Sequence, residues 1–310
     1  MSKQGDATTA ERHVVPQEMV LAFFGLCVFG QGATLREVDV RVHTQVLLAV
    51  LGRLGTSDTA TRAALNRMVN RGLLARHKDG RTSAFELTPQ ARTLLAQGRD
   101  RLFSPAPFDH EPGVWTVLSC PLPETLRNVR YQLQTRLTWA GFGAVQSHVW
   151  VAPGRVDVEA MIGDLLTADV RHLAQAFHGT PAAPSDPAEL VDRAWDLTAL
   201  RAAHEDFLDR WERAEPGAGE ALPQLLLLID DWGRLVRTDP GLPAAHLPGD
   251  WPAARSAGTF SRLRRRLGPG AETEIEGLLR PAASDAAASG RLSDPPPTMP
   301  ACSRSSPASP

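Results

Sequence analysis

The sequence predicts an α+β multidomain chain, on three observations. A helix followed by a hairpin, with a basic outer face, occupies residues 57–87. Apolar strands and amphipathic helices then follow in β-α-β-(β)-α-β order over 112–180. From 186 to 280 the apolar spacing is helical. These read as an N-terminal winged helix-turn-helix unit over 16–103, a central ferredoxin-like α/β sandwich over 112–180 and a C-terminal helical domain over 186–280. Residues 1–15 are polar, and 281–310 are dominated by Ala, Ser, Pro and Gly. Both ends are expected to be disordered, because neither can bury enough apolar area to offset its ordering entropy.

The elements follow in chain order. Pro16 suits the first turn of a helix over 17–29, ended by Gly30 and Gly32. Thr34–Val38 reads as a short strand. Residues 42–54 read as a second helix, with Val46, Leu47, Val50, Leu51 and Leu54 apolar and Gly55 as its stop. Ser57 or Asp58 caps the next helix. Its apolar face is Ala64, Leu65, Met68 and Val69, and Arg62, Asn66 and Asn70 lie on another face. Gly72 ends it. Leu73–His77 and Thr82–Leu87 read as strands joined by Lys78-Asp79-Gly80-Arg81, an Asp-Gly hairpin turn. A helix follows over Pro89–Arg101, then a proline-bearing linker from Phe103 to His110.

In the central segment Val114–Cys120 is an apolar strand, and Glu124–Ala140 is an amphipathic helix with Leu126, Val129, Leu133 and Leu137 in its stripe. Ala144–Gln146 and His148–Val151 read as strands, Val156–Leu166 as a helix and Val170–Phe177 as the closing strand. After a proline-rich loop the chain reads as helical, over 188–213 punctuated by Trp195 and Trp211, then over 222–237 and 253–267.

Formal net charge is −2, but it is polarised. Residues 53–81 hold seven basic and two acidic side chains, a net of +5, whereas 186–220 hold ten acidic and four basic, a net of −6. A basic helix and hairpin on a near-neutral chain suits a nucleic-acid-facing end. Within it, Arg62 and Asn66 are placed to read base edges, with Thr59 and Asn70 beside them, since Arg forks onto guanine and Asn onto adenine. Arg67, Arg71, Arg76, Lys78 and Arg81 are placed to hold phosphates. The expected partner is a double-stranded DNA operator. The alternative is a ligand-binding protein or enzyme whose winged helix mediates protein contacts.

Three cysteines, Cys27, Cys120 and Cys302, are too scattered for a disulfide framework or a zinc site, and a reducing cytoplasm fits. The start is polar, with no signal peptide expected, and the apolar run Met19–Phe29 is shorter than the ~20 residues a membrane span needs. His148, His172 and His178 fall in one unit without HxH or HExxH spacing, so no metal and no cofactor is expected. Ser119-Cys120 lacks a nucleophile-elbow pattern, so no catalytic residue is assigned. The tryptophans Trp139, Trp150, Trp195, Trp211, Trp232 and Trp251 read either as core anchors or as the lining of an aromatic pocket. Arg234, Arg237, Arg255 and Arg262 read either as a solvated face or as phosphate ligands.

Three stretches together resemble the PaaX family of transcriptional repressors. One is Thr61–Leu73. The second is Trp115-Thr116-Val117-Leu118 with Leu137–Gly143 and Val149–Pro153. The third is Asp230-Asp231-Trp232-Gly233-Arg234, then Asp239–Pro243 and Leu247–Pro252. The resemblance covers about 16–280. It implies the same three units, a homodimer on an inverted-repeat operator, and release by a small acyl-CoA or aromatic effector whose pocket it does not assign. This chain departs from the family in Ala84-Phe85 of the wing and in the extension past 281. The central unit also resembles in shape a small metal-dependent nuclease of CRISPR adaptation. Such a nuclease needs a carboxylate at the end of its first strand, where this chain has Ser119-Cys120-Pro121. The central unit is therefore read as a dimerisation or relay module.

Overall fold

The computed structural model describes residues 14–29, 40–79, 82–104, 107–108, 110, 113–215 and 220–280. The expected strand at Thr34–Val38, residues 1–13 of the stretch 1–15 expected to be disordered, and the tail 281–310 with the same expectation lie outside them.

The first unit comprises α1 (Pro16–Phe29), β1 (Val42–His43), α2 (Thr44–Gly52), α3 (Asp58–Asn70), β2 (Leu74–Asp79), β3 (Thr82–Leu87) and α4 (Pro89–Leu102). Its strands form an antiparallel sheet in the order β1-β3-β2. The second helix begins at Thr44 and not at 42, because Val42 and His43 pair with Phe85 and Ala84. The Thr44 hydroxyl then donates to Ser83 O at 2.7 Å, anchoring the helix start to the hairpin.

The second unit comprises β4 (Trp115–Ser119), a 3-10 turn at Glu124–Leu126, α5 (Arg127–Trp139), β5 (Gly143–Gln146), β6 (Val149–Pro153), α6 (Val158–Ile162), α7 (Ala168–Arg171) and β7 (Gln175–Gly179). The strands form an antiparallel sheet in the order β5-β6-β4-β7. Numbered within the unit this is 2-3-1-4, the order a split β-α-β pair produces. Two expectations need correction. Residues 156–166 hold only a short helix, because Val156 N–H donates to the Thr116 hydroxyl at 2.9 Å and Asp157 caps the helix by accepting from Ala160 N–H at 3.0 Å. The closing strand starts at Gln175 and not at Val170, because residues 168–171 form α7. Turn hydrogen bonds from Leu173 N–H to Val170 O and from Ala174 N–H to Arg171 O carry the chain out of that helix. One sheet face packs Leu118, Trp150 and Ala152 against Leu133 and Leu137 of α5.

The last segment comprises α8 (Pro187–Ala194), α9 (Leu197–Trp211), α10 (Ala221–Thr238), a 3-10 turn at Ala244–His246 and α11 (Ala253–Leu279). The helical stretch expected over 188–213, punctuated by Trp195 and Trp211, is two helices that part at Trp195, whose extended backbone lets Asp196 cap α9 through Ala199 N–H at 2.9 Å. The last helix runs twelve residues past its expected end at 267, through Pro269. It stays helical because Leu267, Gly268 and Ala271 are buried in the core, which offsets the hydrogen bond that proline removes.

The largest hydrophobic cluster is continuous from the first unit into the last. It joins Phe23, Phe24, Leu47, Leu65 and Phe85 to Leu225, Trp232, Phe260 and Leu267. The third of the family stretches explains much of this join. Trp232 stacks on Phe260 at 4.6 Å and donates its indole N–H to Leu102 O at 2.7 Å. Asp231 accepts from Trp211 Nε1 at 2.8 Å. Arg234 bridges Asp230 at 2.7 Å and Glu18 of α1 at 3.2 Å. Farther along, Glu274 of α11 takes Arg53 at 2.7 Å and Leu222 N–H at 3.2 Å.

Phe108 and His110 seat the link to the central unit. His110 Nε2 meets Pro240 O at 2.7 Å, and Phe108 packs edge-on against His204 and Trp232. This contact needs glycine at Gly241, where φ is +80° and a Cβ would fall 2.7 Å from His110.

Candidate nucleic-acid interface

Ser57 starts α3 by accepting from Ala60 N–H at 3.2 Å, and Gly72 at φ +70° ends it, with Leu73 N–H closing onto Met68 O at 2.9 Å. Thr61, Ala64, Leu65 and Met68 face the core. Thr59, Arg62, Asn66 and Asn70 are all exposed. Their spacing of three, four and four residues puts them on one ridge of the helix. This is the ridge assigned to base reading.

The residues assigned to phosphates divide. Arg67 and Arg71 are exposed but lie roughly on the far side of α3 from Arg62, at about 100° per residue. Arg71 donates to Gln17 Oε1 of α1 at 3.3 Å, so it ties α3 to α1. Arg76 sits opposite Phe85 in the hairpin register, its guanidinium 5.3 Å from that ring centre, and donates to Asn66 Oδ1. Lys78 is exposed two residues further along the same strand face. Arg81 and the turn glycine Gly80 lie outside the described residues. On the other face of the hairpin Glu86 gathers positive charge from Arg41 at 3.2 Å and Arg92 at 3.5 Å.

A continuous polar surface therefore runs from Thr59 through Arg62 and Asn66 to Arg76 and Lys78. The Asn66–Arg76 contact is the part that residue spacing could not show, since it joins a helix to a strand. A second group escaped the sequence reading altogether. His204, Asp239 and Ser256 are buried together, with His204 Nε2 2.7 Å from Asp239 Oδ2 and Nδ1 2.9 Å from Ser256 Oγ. Asp239 Oδ1 also accepts from Gly241 N–H at 2.7 Å. The His-Asp-Ser chain is sealed from solvent, so it serves as a polar clamp between α9, the end of α10 and α11.

Among the described residues no three His, Cys, Asp or Glu side chains are grouped to hold a metal. Cys27 and Cys120 are both buried free thiols, and burial pushes the Cys27 thiol up to about 12. No described helix is long and apolar enough to cross a membrane. Of the tryptophans, Trp115, Trp150, Trp211 and Trp232 are core residues, while Trp139 is 73% exposed.

An α+β chain with a helix-and-hairpin unit built onto a helical body, and a Cas2-like sheet between them in sequence, defines a narrow class. Residues 25–91 match the model "PaaX-like protein", 109–191 the "PaaX protein central Cas2-like domain" and 195–277 the "PaaX-like protein C-terminal domain". The chain belongs to the PaaX family. It is 26% identical over 237 residues to the transcriptional repressor PaaX of Escherichia coli (strain K12), spanning 73% of this chain and 74% of that one. Its fold is similar to that of the uncharacterized protein Rv0674 from Mycobacterium tuberculosis, with a TM-score of 0.55 and 22% identity over 84% of this chain and 99% of the other.

Proposed function

We propose that this chain is a DNA-binding transcriptional repressor of the cytoplasm, acting as a homodimer on an inverted-repeat operator. Residues 16–103 form the winged helix-turn-helix reader, 112–180 the dimerisation unit and 186–280 the helical body. The observation that carries the reading is the exposed ridge Thr59, Arg62, Asn66 and Asn70, flanked by Arg76 and Lys78. Arg62 and Asn66 read bases in the major groove, and Arg76, Lys78 and Arg81 hold phosphates. Arg67 and Arg71, which face away from Arg62, take no part in base reading. A small acyl-CoA or aromatic effector releases the DNA by favouring a conformation that binds it poorly.

The test is binding-site selection from a random duplex pool, then fluorescence anisotropy on the selected site and a scrambled one across salt. The expected result is a palindromic site held at least ~10³-fold more tightly than the scramble. Equal affinity for both duplexes would overturn the reading. Lys78→Ala should weaken both duplexes alike and lower the salt slope by about one.

A further inference from the structure

The four-stranded sheet has two edges, and they are finished differently. β5 carries a register irregularity between Ala144 and Gln146. It lies under the end of α8, so close that a Cβ on Gly143 would fall 2.7 Å from both Ala194 O and the Trp195 ring. β7 has neither device. All five of its residues, Gln175–Gly179, are exposed, and Phe177 is 61% exposed at its centre. From Leu173 to Ser185 there is no Asp, Glu, Lys or Arg. Edges that must stay unpaired are protected by charge, proline, a bulge or a cover. A bare, uncharged edge with a central aromatic is suited to pairing.

The direction of its free hydrogen-bonding groups can be fixed. Cys120 N–H donates to His148 O, and Gly154 N–H to Val114 O, each at 2.9 Å, so even-numbered residues around β4 bond toward β6. Trp115, Val117 and Ser119 therefore bond toward β7, opposite Gly179, Phe177 and Gln175. The main-chain groups of Ala176 and His178 are left pointing away from the sheet.

We infer that β7 pairs antiparallel with β7 of a second copy of this chain, about a two-fold axis at Phe177. The inference rests on the dimeric reading above and names its contact. This register pairs every residue of the strand. Ala176 of each copy exchanges both main-chain hydrogen bonds with His178 of the other, and Phe177 faces Phe177 at a non-hydrogen-bonded position, where side chains lie closest. Two four-stranded sheets become one continuous sheet of eight. Beside the edge, on its helical side, a cavity of about 420 Å³ lined by Ala176, His178, Val156 and Glu159 gives the second copy's His178 room to seat. The contact is isologous, as two-fold assembly requires.

Sedimentation velocity on the full chain decides it, using wild type and Ala176→Pro, with Phe177→Cys in a Cys302→Ser background. Proline at 176 removes an N–H that β4 does not use, so the fold is expected to keep its circular dichroism and melting temperature. Its dimer dissociation constant should rise by at least about tenfold. Phe177→Cys should oxidise to one covalent dimer, since Cα atoms about 4.5 Å apart lie in disulfide range; Thr135→Cys, on the exposed face of α5, should not. A dimeric wild type with an equally tight Ala176→Pro dimer and no Phe177→Cys cross-link overturns the β7 contact and leaves the dimer standing. A wild type monomeric both free and on its selected DNA overturns the dimeric reading itself. Should Ala176→Pro misfold, the presence or absence of the Phe177→Cys cross-link settles the contact by itself.

Discussion

Asn66 and Arg76 touch each other, so removing either should disturb DNA reading through the other. Asn66→Ala deletes a side chain able to fork onto adenine, which costs about 1–3 kcal/mol on the selected site, or roughly 5- to 150-fold in affinity. The fold should barely notice, because Asn66 is exposed and surface changes are usually within about 0.5 kcal/mol. Arg76→Ala removes the proposed phosphate contact and also frees the Asn66 amide that it holds. It should therefore lose affinity, lower the salt slope by about one and relax the base preference that Asn66 sets. Arg76→Lys separates the two effects. The charge and the salt slope stay, while the planar donor fork that orients Asn66 is gone. The double variant should lose less than the sum of the singles, with a coupling of about 0.5–1.5 kcal/mol. Anisotropy titrations of the four variants on the selected duplex and on single-base changes measure each of these losses. Additive losses, with an unchanged base preference in Arg76→Lys, would refute the idea that the strand positions the helix residue.

Other expectations concern the body that carries the reader. Burial pushes the Asp230 carboxyl up to about 6, against the pull of Arg234. The folded chain then holds that proton more tightly than the unfolded chain, so the stability Asp230 contributes at low pH is lost as pH rises through about 6. Asp230→Asn should flatten this fall in urea unfolding series; parallel curves for variant and wild type would disprove it. His204→Ala should cost about 3–5 kcal/mol, since it opens a cavity and strips the Asp239 carboxylate of one of its donors. Arg255→Ala, which breaks an exposed pair with Glu212, should cost no more than about 1 kcal/mol in the same assay. Equal losses would mean that the buried clamp carries no special weight.

The helix-and-hairpin unit was legible because each of its parts is local. The apolar period of α3, the Ser57 cap, the Gly72 stop and the alternation of β3 all sit within a few residues of the signal that reveals them. The central sheet was legible in outline for the same reason. What failed was short or decided at long range. Two residues of β1 carry no period of their own and are strand only because Phe85 and Ala84 lie opposite. Pro269 reads as a terminator, and only burial of Leu267 and Ala271 overrules it. His204, Asp239 and Ser256 look ordinary one by one, and their clamp exists only once three elements have been packed. Asn66 and Arg76 were both named as contacts, yet their pairing was hidden because periodicity says nothing about a helix and a strand meeting.

None of residues 16–28 in α1 is exposed. From Met19 on, the helix is apolar on all sides, a pattern that requires burial all round, and it is wedged between α3 and α10. Among the described residues, α3 is joined to the body through this packed helix. In a two-headed assembly the distance between reading helices is then a property of the body, as fixed as the gap between the jaws of a locked calliper. Such a protein tolerates little variation in the spacing of its half-sites. Inserting about five base pairs, half a turn, should turn one half-site out of reach. By the same logic, a reader from a distant relative cannot be exchanged alone, because α1 has to fit two neighbours at once.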